Sequence, residues 1–245
     1  MAIEGSTEHV IHSSFDRVIT RKGDTAVKSG PDVRASEAIT LQFIAQNTDI
    51  PVPRILSEPV TRDGITSFTM EYVDGQPLQD LWPDLTDEHK LTIQSQLRKI
   101  VNELRAIKGA CIGALNQGTA IDCRRTIYEG GPFLDESEFN NFIVSDMVTA
   151  VPEIFRDMVR HRLRADHAIV FTHGDFTPRN IMVKDGLVAA VIDWEYAGFY
   201  PEYWEYVKSL RSSLGFQDFM HNVFPESYEE EFVTDQFLSR FRRHQ

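Results

Sequence analysis

Two aspartates and an asparagine between residues 173 and 193 have the types and spacing for phosphate chemistry. His173-Gly174-Asp175 is followed by Asn180, and then by Asp193 at the end of the apolar run Val188-Ala189-Ala190-Val191-Ile192. Moving a phosphoryl group asks little covalent work of a protein. It asks for an oriented acceptor hydroxyl and for positive charge on the phosphate oxygens while the bond breaks. In that chemistry Asp175 would orient the hydroxyl and take its proton. Magnesium takes oxygen ligands and keeps several waters, so an amide oxygen from Asn180 and a carboxylate from Asp193 suffice on the protein side. A lone H-G-D is commonly a solvated surface loop. Here the loop, a hairpin pattern and the second aspartate occur together and in order.

The surrounding elements must hold these groups. Ala168-Ile169-Val170-Phe171 reads as a strand leading into the polar loop 173–180. Ile181-Met182-Val183 and residues 188–192 read as a hairpin turning at Lys184-Asp185-Gly186, which sets Asp193 at a strand end near Asn180. Thr25-Ala26-Val27-Lys28 is a further strand. In ASEAITLQFIAQN the apolar Ala38, Leu41, Ile44 and Ala45 recur at helical spacing, with Ser36 or Asp32 as the expected cap.

The stretch 173–206 resembles the aminoglycoside phosphotransferase and choline kinase family, in which H-G-D stands where protein kinases have H-R-D. It is similar to the small fungal members, which carry HGDLxPRNILV followed by DWExAGFxPxYWEY. This chain has HGDFTPRNIMV and DWEYAGFYPEYWEY. The resemblance extends from about residue 25 to about residue 210. It implies an α+β, protein-kinase-like two-lobed fold. Residues 1–73 would form a small N-lobe with an antiparallel sheet and one helix, and 74–245 a larger, mainly helical C-lobe. The activity implied is the magnesium-dependent transfer of the ATP γ-phosphate to a hydroxyl of a small molecule, with Asp175 as base and Asn180 and Asp193 as metal ligands.

The same resemblance assigns the nucleotide site. Lys28 would hold the ATP phosphates and Glu37 would hold Lys28. Taken as a pair near solvent, the two are expected to add little to stability. Met70-Glu71-Tyr72-Val73 would be the hinge, where a carbonyl of Glu71 and an amide of Val73 meet the adenine edge. One departure stands out: no G-x-G-x-x-G precedes Lys28. The phosphate-covering loop would be His12-Ser13-Ser14-Phe15, with Ser13 and Ser14 as its polar contacts. So little chain precedes it that a full first strand is not expected.

Farther along, Ile93, Leu97, Ile100-Val101, Leu104 and Ile107 trace one stripe of a long helix, with Thr86 as its cap and Gly109 as its stop. Residues 109–134 read as loop. Residues 138–148 and 152–163 read as amphipathic helices, and the family resemblance implies that 124–142 is a lid or substrate wall. Pro201-Glu202 follow Asp193 so closely that no peptide platform fits between them, so the acceptor should be small. Trp194, Tyr196, Phe199, Tyr200, Tyr203 and Trp204, interleaved with Glu195, Glu202 and Glu205, could form a pocket for an ammonium group. The plainer reading is that the rings anchor the helix that follows. The basic end of FLSRFRRHQ suits a helix dipole.

Composition bounds the rest. The chain has 245 residues, 42% hydrophobic and 11% aromatic, enough for a packed core. A net charge of −12 argues against nucleic acid and anionic membrane as partners. No apolar run approaches a membrane span or a signal-peptide core. Two cysteines, Cys111 and Cys123, fit a reducing cytoplasm better than a disulfide framework. Two other functions share this sequence pattern: an inert kinase-fold ligand binder, and a biosynthetic enzyme using Asp175 as a general base without ATP.

Overall fold

A computed structural model describes residues 8–14, 16–122, 129–145, 147 and 150–241. Phe15, Cys123, residues 124–128 of the expected lid, Asp146 and Val148 of the 138–148 helix, and the tail 242–245 lie outside them. In chain order the elements are β1 (Glu8–Ser14), β2 (Arg17–Lys22), β3 (Thr25–Gly30), α1 (Ala35–Asn47), β4 (Val60–Arg62), β5 (Ile65–Glu71), β6 (Gln76–Pro77), α2 (Leu78–Leu81), α3 (Asp87–Ala106), β7 (Ala120–Ile121) and β8 (Glu129–Gly130). There follow α4 (Glu136–Ser145), α5 (Glu153–Arg162), β9 (Ile169–Thr172), β10 (Ile181–Lys184), β11 (Leu187–Val191), β12 (Gly198–Pro201), α6 (Trp204–Ser212), α7 (Gln217–His221) and α8 (Glu229–Ser239). The class is α+β, with an antiparallel N-terminal sheet and a mainly helical remainder.

By contacts the chain divides into two compact units, Met1–Ile93 with Arg179–Glu195, and Gln94–Pro178 with Tyr196–Gln245. The first unit thus takes in 74–93 and 179–195 as well as the residues before 74. Its five-stranded sheet runs β1-β2-β3-β5-β4, antiparallel throughout. Strand period 2 sends Ala26, Lys28 and Gly30 of β3 to the buried side. Helical spacing puts Glu37, Ala38, Leu41 and Ile44 of α1 on its buried side. A second sheet, β11-β10-β6, contains the expected hairpin, turned at Asp185-Gly186 with both residues at positive φ.

The second unit holds most of α3, whose Leu97, Ile100, Val101 and Leu104 are buried along one stripe. The Thr86 hydroxyl accepts the His89 N–H at 3.2 Å and caps that helix. Strand β9 pairs antiparallel with β12 and delivers the chain into the H-G-D loop. Among the described residues, no helix is long and apolar enough to cross a membrane.

Two local expectations are corrected. The chain before Arg17 does form a full first strand, the seven-residue β1, because pairing with β2 satisfies its backbone even though every side chain on it is exposed. Neither Ser36 nor Asp32 caps α1: Arg34 is the N-cap, without a side-chain bond, and its carbonyl accepts the Glu37 N–H. Gly198-Phe199-Tyr200-Pro201, for which no element is expected, forms a strand whose edge pairs with β9.

Candidate active site

The first unit gathers five charged side chains. The Lys28 ammonium donates to both Glu37 oxygens, at 2.8 and 2.6 Å, and to Asp193 Oδ1 at 2.8 Å. These use its three N–H groups. Lys28 and Glu37 are each only 2% exposed, so the expectation of a pair near solvent is overturned: β3 and α1 both turn these residues inward. Burial opposes the charge on Lys28, but Glu37 and Asp193 outweigh it and hold the lysine above its ordinary pKa. Burial is also the largest influence on Glu37 and pushes its carboxyl upward, against the pull of Lys28. Arg17, the first residue of β2, grips Glu195 with Nη2 at 2.9 and 2.7 Å and reaches Asp193 Oδ1 with Nη1 at 3.4 Å. Glu37, Asp193 and Glu195 come within 4.8 Å of one another. Lys28 bonds Glu37 and Asp193, and Arg17 bonds Asp193 and Glu195, so this cluster is an ion-pair network.

Asp193 is aimed by its backbone. Its φ of 66° is left-handed, a conformation that asparagine and aspartate tolerate better than other side chains with a Cβ. The Trp194 indole N–H donates to the Val191 carbonyl at 2.9 Å across the turn, and the ring is buried. The Ile192 N–H donates to the Asn180 carbonyl at 2.9 Å, tying the aspartate segment to the asparagine segment.

Lys28, Glu37, Glu71, Val73, Asn180 and Asp193 line one cavity of about 630 Å³, together with Arg17, Ala26, Leu41, Met70 and Met182. Its walls are largely apolar, with charged groups gathered at Lys28 and Asp193. A purine enclosed by aliphatic side chains and a charged tail at one end suit such a shape. The oxygen donors of Asn180 and Asp193 fit a hard divalent cation. Ser13 and Ser14 are not among the lining residues. They sit on exposed β1, paired with Val18 and Arg17, while Ile11 and His12 of the same strand do line the cavity.

The second unit holds the H-G-D loop. Gly174 has φ 83°, and a Cβ there would lie 2.5 Å from the Tyr196 carbonyl oxygen, so the position admits glycine alone. His173 Nδ1 accepts the Asp175 N–H at 3.2 Å. Glu205 of α6 lies beneath the loop: it accepts the His173 N–H in a short bond and the Gly174 N–H at 3.1 Å. Complete burial pushes Glu205 up to about 7, against backbone N–H groups of His173, Gly174 and Phe176 that favour its charge. Asp175 lines a small cavity with Ile121, Asp122, Gly174, Tyr196, Trp204 and Lys208.

The aromatic stretch is mostly core. Tyr200, Tyr203 and Trp204 are 1, 5 and 3% exposed. Tyr200 stacks on Trp204, and its hydroxyl bonds the Ile121 backbone. Lys208 itself lies over the Trp204 ring, 4.0 Å from the centroid, with Asp122 at 2.9 Å. The ammonium pocket expected from these rings is therefore filled by the chain's own lysine. Glu205 and Glu195 are likewise committed to the loop backbone and to Arg17. Arg17, Asp122 and Lys208 escape a reading of the sequence because Arg17 meets Glu195, and Lys208 meets Asp122, across a long stretch of chain.

Residues 9–237 match the family model of the phosphotransferase enzyme family, APH. No curated protein matches at a significant level. Solved structures match over nearly the whole chain. The ternary complex of a thermostable aminoglycoside phosphotransferase APH(4)-Ia mutant with AMP-PNP and hygromycin B is 14% identical, with a TM-score of 0.65, covering 97% of this chain and 84% of that one. The GDP and kanamycin complex of APH(2″)-IIIa is 15% identical, TM-score 0.63, with 98 and 84% covered. ADP-bound APH(2″)-Ib is 12% identical, TM-score 0.65, with 96 and 82% covered. At these identities the structures share the fold, which is the kinase-like one. With a match over 9–237, this chain belongs to the phosphotransferase enzyme family.

Proposed function

We propose that the protein transfers the γ-phosphate of ATP, with magnesium, to a hydroxyl group of a small molecule. The observation that carries this reading is the single cavity in which Lys28, Glu37, Asn180 and Asp193 meet an apolar wall that ends at Glu71 and Val73. In this reading the backbone of Glu71 and Val73 meets the adenine edge. Lys28, held by Glu37, faces the phosphates. Asn180 and Asp193 hold the metal, which when bound neutralises charge developing on the phosphate oxygens.

Asp175 acts as the base. Glu205 and Gly174 fix the loop that carries it, so the carboxylate is set before the acceptor arrives. The acceptor is a small hydroxylated compound, as with the hygromycin B and kanamycin bound to the fold relatives. Asp122 and Lys208, together with Tyr196 and Trp204, line the small cavity at Asp175 that would face it. The test is a screen of hydroxylated and amino-alcohol metabolites with Mg-ATP and Mg-GTP, reading nucleoside diphosphate release. On any substrate found, Asp175→Asn should cost roughly 10²–10⁴-fold in kcat and leave nucleotide binding nearly intact. Equal turnover by the variant and the wild type would remove Asp175 from the role of base.

A further inference from the structure

Phosphate-binding loops of this general kind approach phosphate through glycine backbone, yet the β1–β2 connection here contains no glycine. We infer that Arg17 takes over that task, as a phosphate-binding side chain of the nucleotide cavity set in place by Glu195. The inference rests on the nucleotide reading above and adds a residue to it.

Four observations carry it. Arg17 lines the cavity that holds Lys28 and Asp193. Its contacts to Glu195 and Asp193 use three of the five N–H donors of the guanidinium fork. The two Glu195 bonds, at 2.9 and 2.7 Å, both come from Nη2 and hold that nitrogen. The Asp193 contact, at 3.4 Å, is beyond the usual N–H···O range and is the one that yields to a better acceptor. A guanidinium anchored through Nη2 and loosely held at Nη1 is preorganised to turn its charge and its Nη1 donors to a phosphate oxygen.

The backbone is built to bring Arg17 close. A Cβ on Gly30 would lie 2.0 Å from the Asp16 carbonyl oxygen and 3.0 Å from the Arg17 Cα, so the glycine needed for close approach stands on β3 instead of in the loop. Glu195 also acquires a purpose: at the place where protein kinases have the glycine of D-F-G, this chain has the anchor of the arginine.

The test compares ATP with adenosine, which lacks phosphates, by calorimetry on the full chain with and without magnesium. Arg17→Met should weaken ATP about 10- to 100-fold, the range for a lost charge-assisted hydrogen bond, and leave adenosine affinity unchanged. Arg17→Gln keeps a polar side chain beside Glu195 without the charge and serves should the methionine variant fail to fold; it should show the same selective loss. Unchanged ATP affinity in the folded variant overturns the inference, as does an equal loss for ATP and adenosine, which would make Arg17 structural. If the wild type itself binds no ATP, the nucleotide reading fails first, and Arg17 with it.

Discussion

Lys28 and Asp193, 165 residues apart in sequence, meet at 2.8 Å. The contact joins the sheet lysine to the aspartate that follows the hairpin, and Glu37 completes it from α1. The lysine is thus held by two carboxylates before any phosphate arrives.

Removing that lysine should destabilise the protein as well as weaken nucleotide binding. Lys28→Met leaves Glu37 buried and unpaired, a loss of about 3–5 kcal/mol for breaking a buried pair from one side. Replacing both, as Lys28→Met with Glu37→Leu, should recover much of the melting temperature without recovering ATP affinity. Thermal unfolding of the single and double variants reads this directly. A Lys28→Met protein as stable as the wild type would contradict the buried pairing.

Gly174→Ala should distort the H-G-D loop. The positive φ alone costs a non-glycine residue about 1–2 kcal/mol, and the Tyr196 carbonyl at 2.5 Å adds a clash. For a chain of this size each kcal/mol shifts the melting temperature by about 2–4 °C. A melting temperature within a degree of the wild type would show that the loop has room to move.

Much of this arrangement is legible in the sequence. The spacing of Asp175, Asn180 and Asp193 and the hairpin between the latter two follow from short-range patterns and the turn residues at Asp185-Gly186; β3 and α1 follow from periods 2 and 3.6, while the Lys28–Glu37 pairing comes from the family resemblance. What is not legible depends on partners far away in the chain. The Arg17–Glu195 clamp spans 178 residues, and Glu205 reaches the loop from α6. Rings and carboxylates at 194–205 have the composition of an ammonium site, but composition does not say that Lys208, one turn of α6 beyond Trp204, supplies the ammonium.

Lys208 should accordingly be a stability residue. Lys208→Met leaves Asp122 buried without its 2.9 Å partner and removes the cation from the Trp204 ring. A loss of about 3–5 kcal/mol is expected, measured by denaturant unfolding. A Lys208→Met protein of wild-type stability would show the site to be looser than it looks.

Glu205 gives a pH signature. Its folded pKa, raised to about 7 by burial, lies above the ordinary carboxyl value of 4.5. The native state therefore keeps this proton longer than the unfolded chain does. Its contribution is fully present below about pH 4.5 and is lost as the pH rises towards about 7. Glu205→Gln, which does not titrate, should flatten the stability profile across that window. Parallel profiles for the variant and the wild type would contradict a raised pKa.

The central claim is that the cavity binds ATP through a metal held by Asn180 and Asp193. Calorimetric titration of the wild type and of Asp193→Ala with ATP, each with and without magnesium, tests it most directly. The account predicts ATP binding by the wild type that tightens strongly with magnesium, and loss of that magnesium dependence in Asp193→Ala. No binding at millimolar Mg-ATP, or an Asp193→Ala protein with the same magnesium dependence as the wild type, would contradict it.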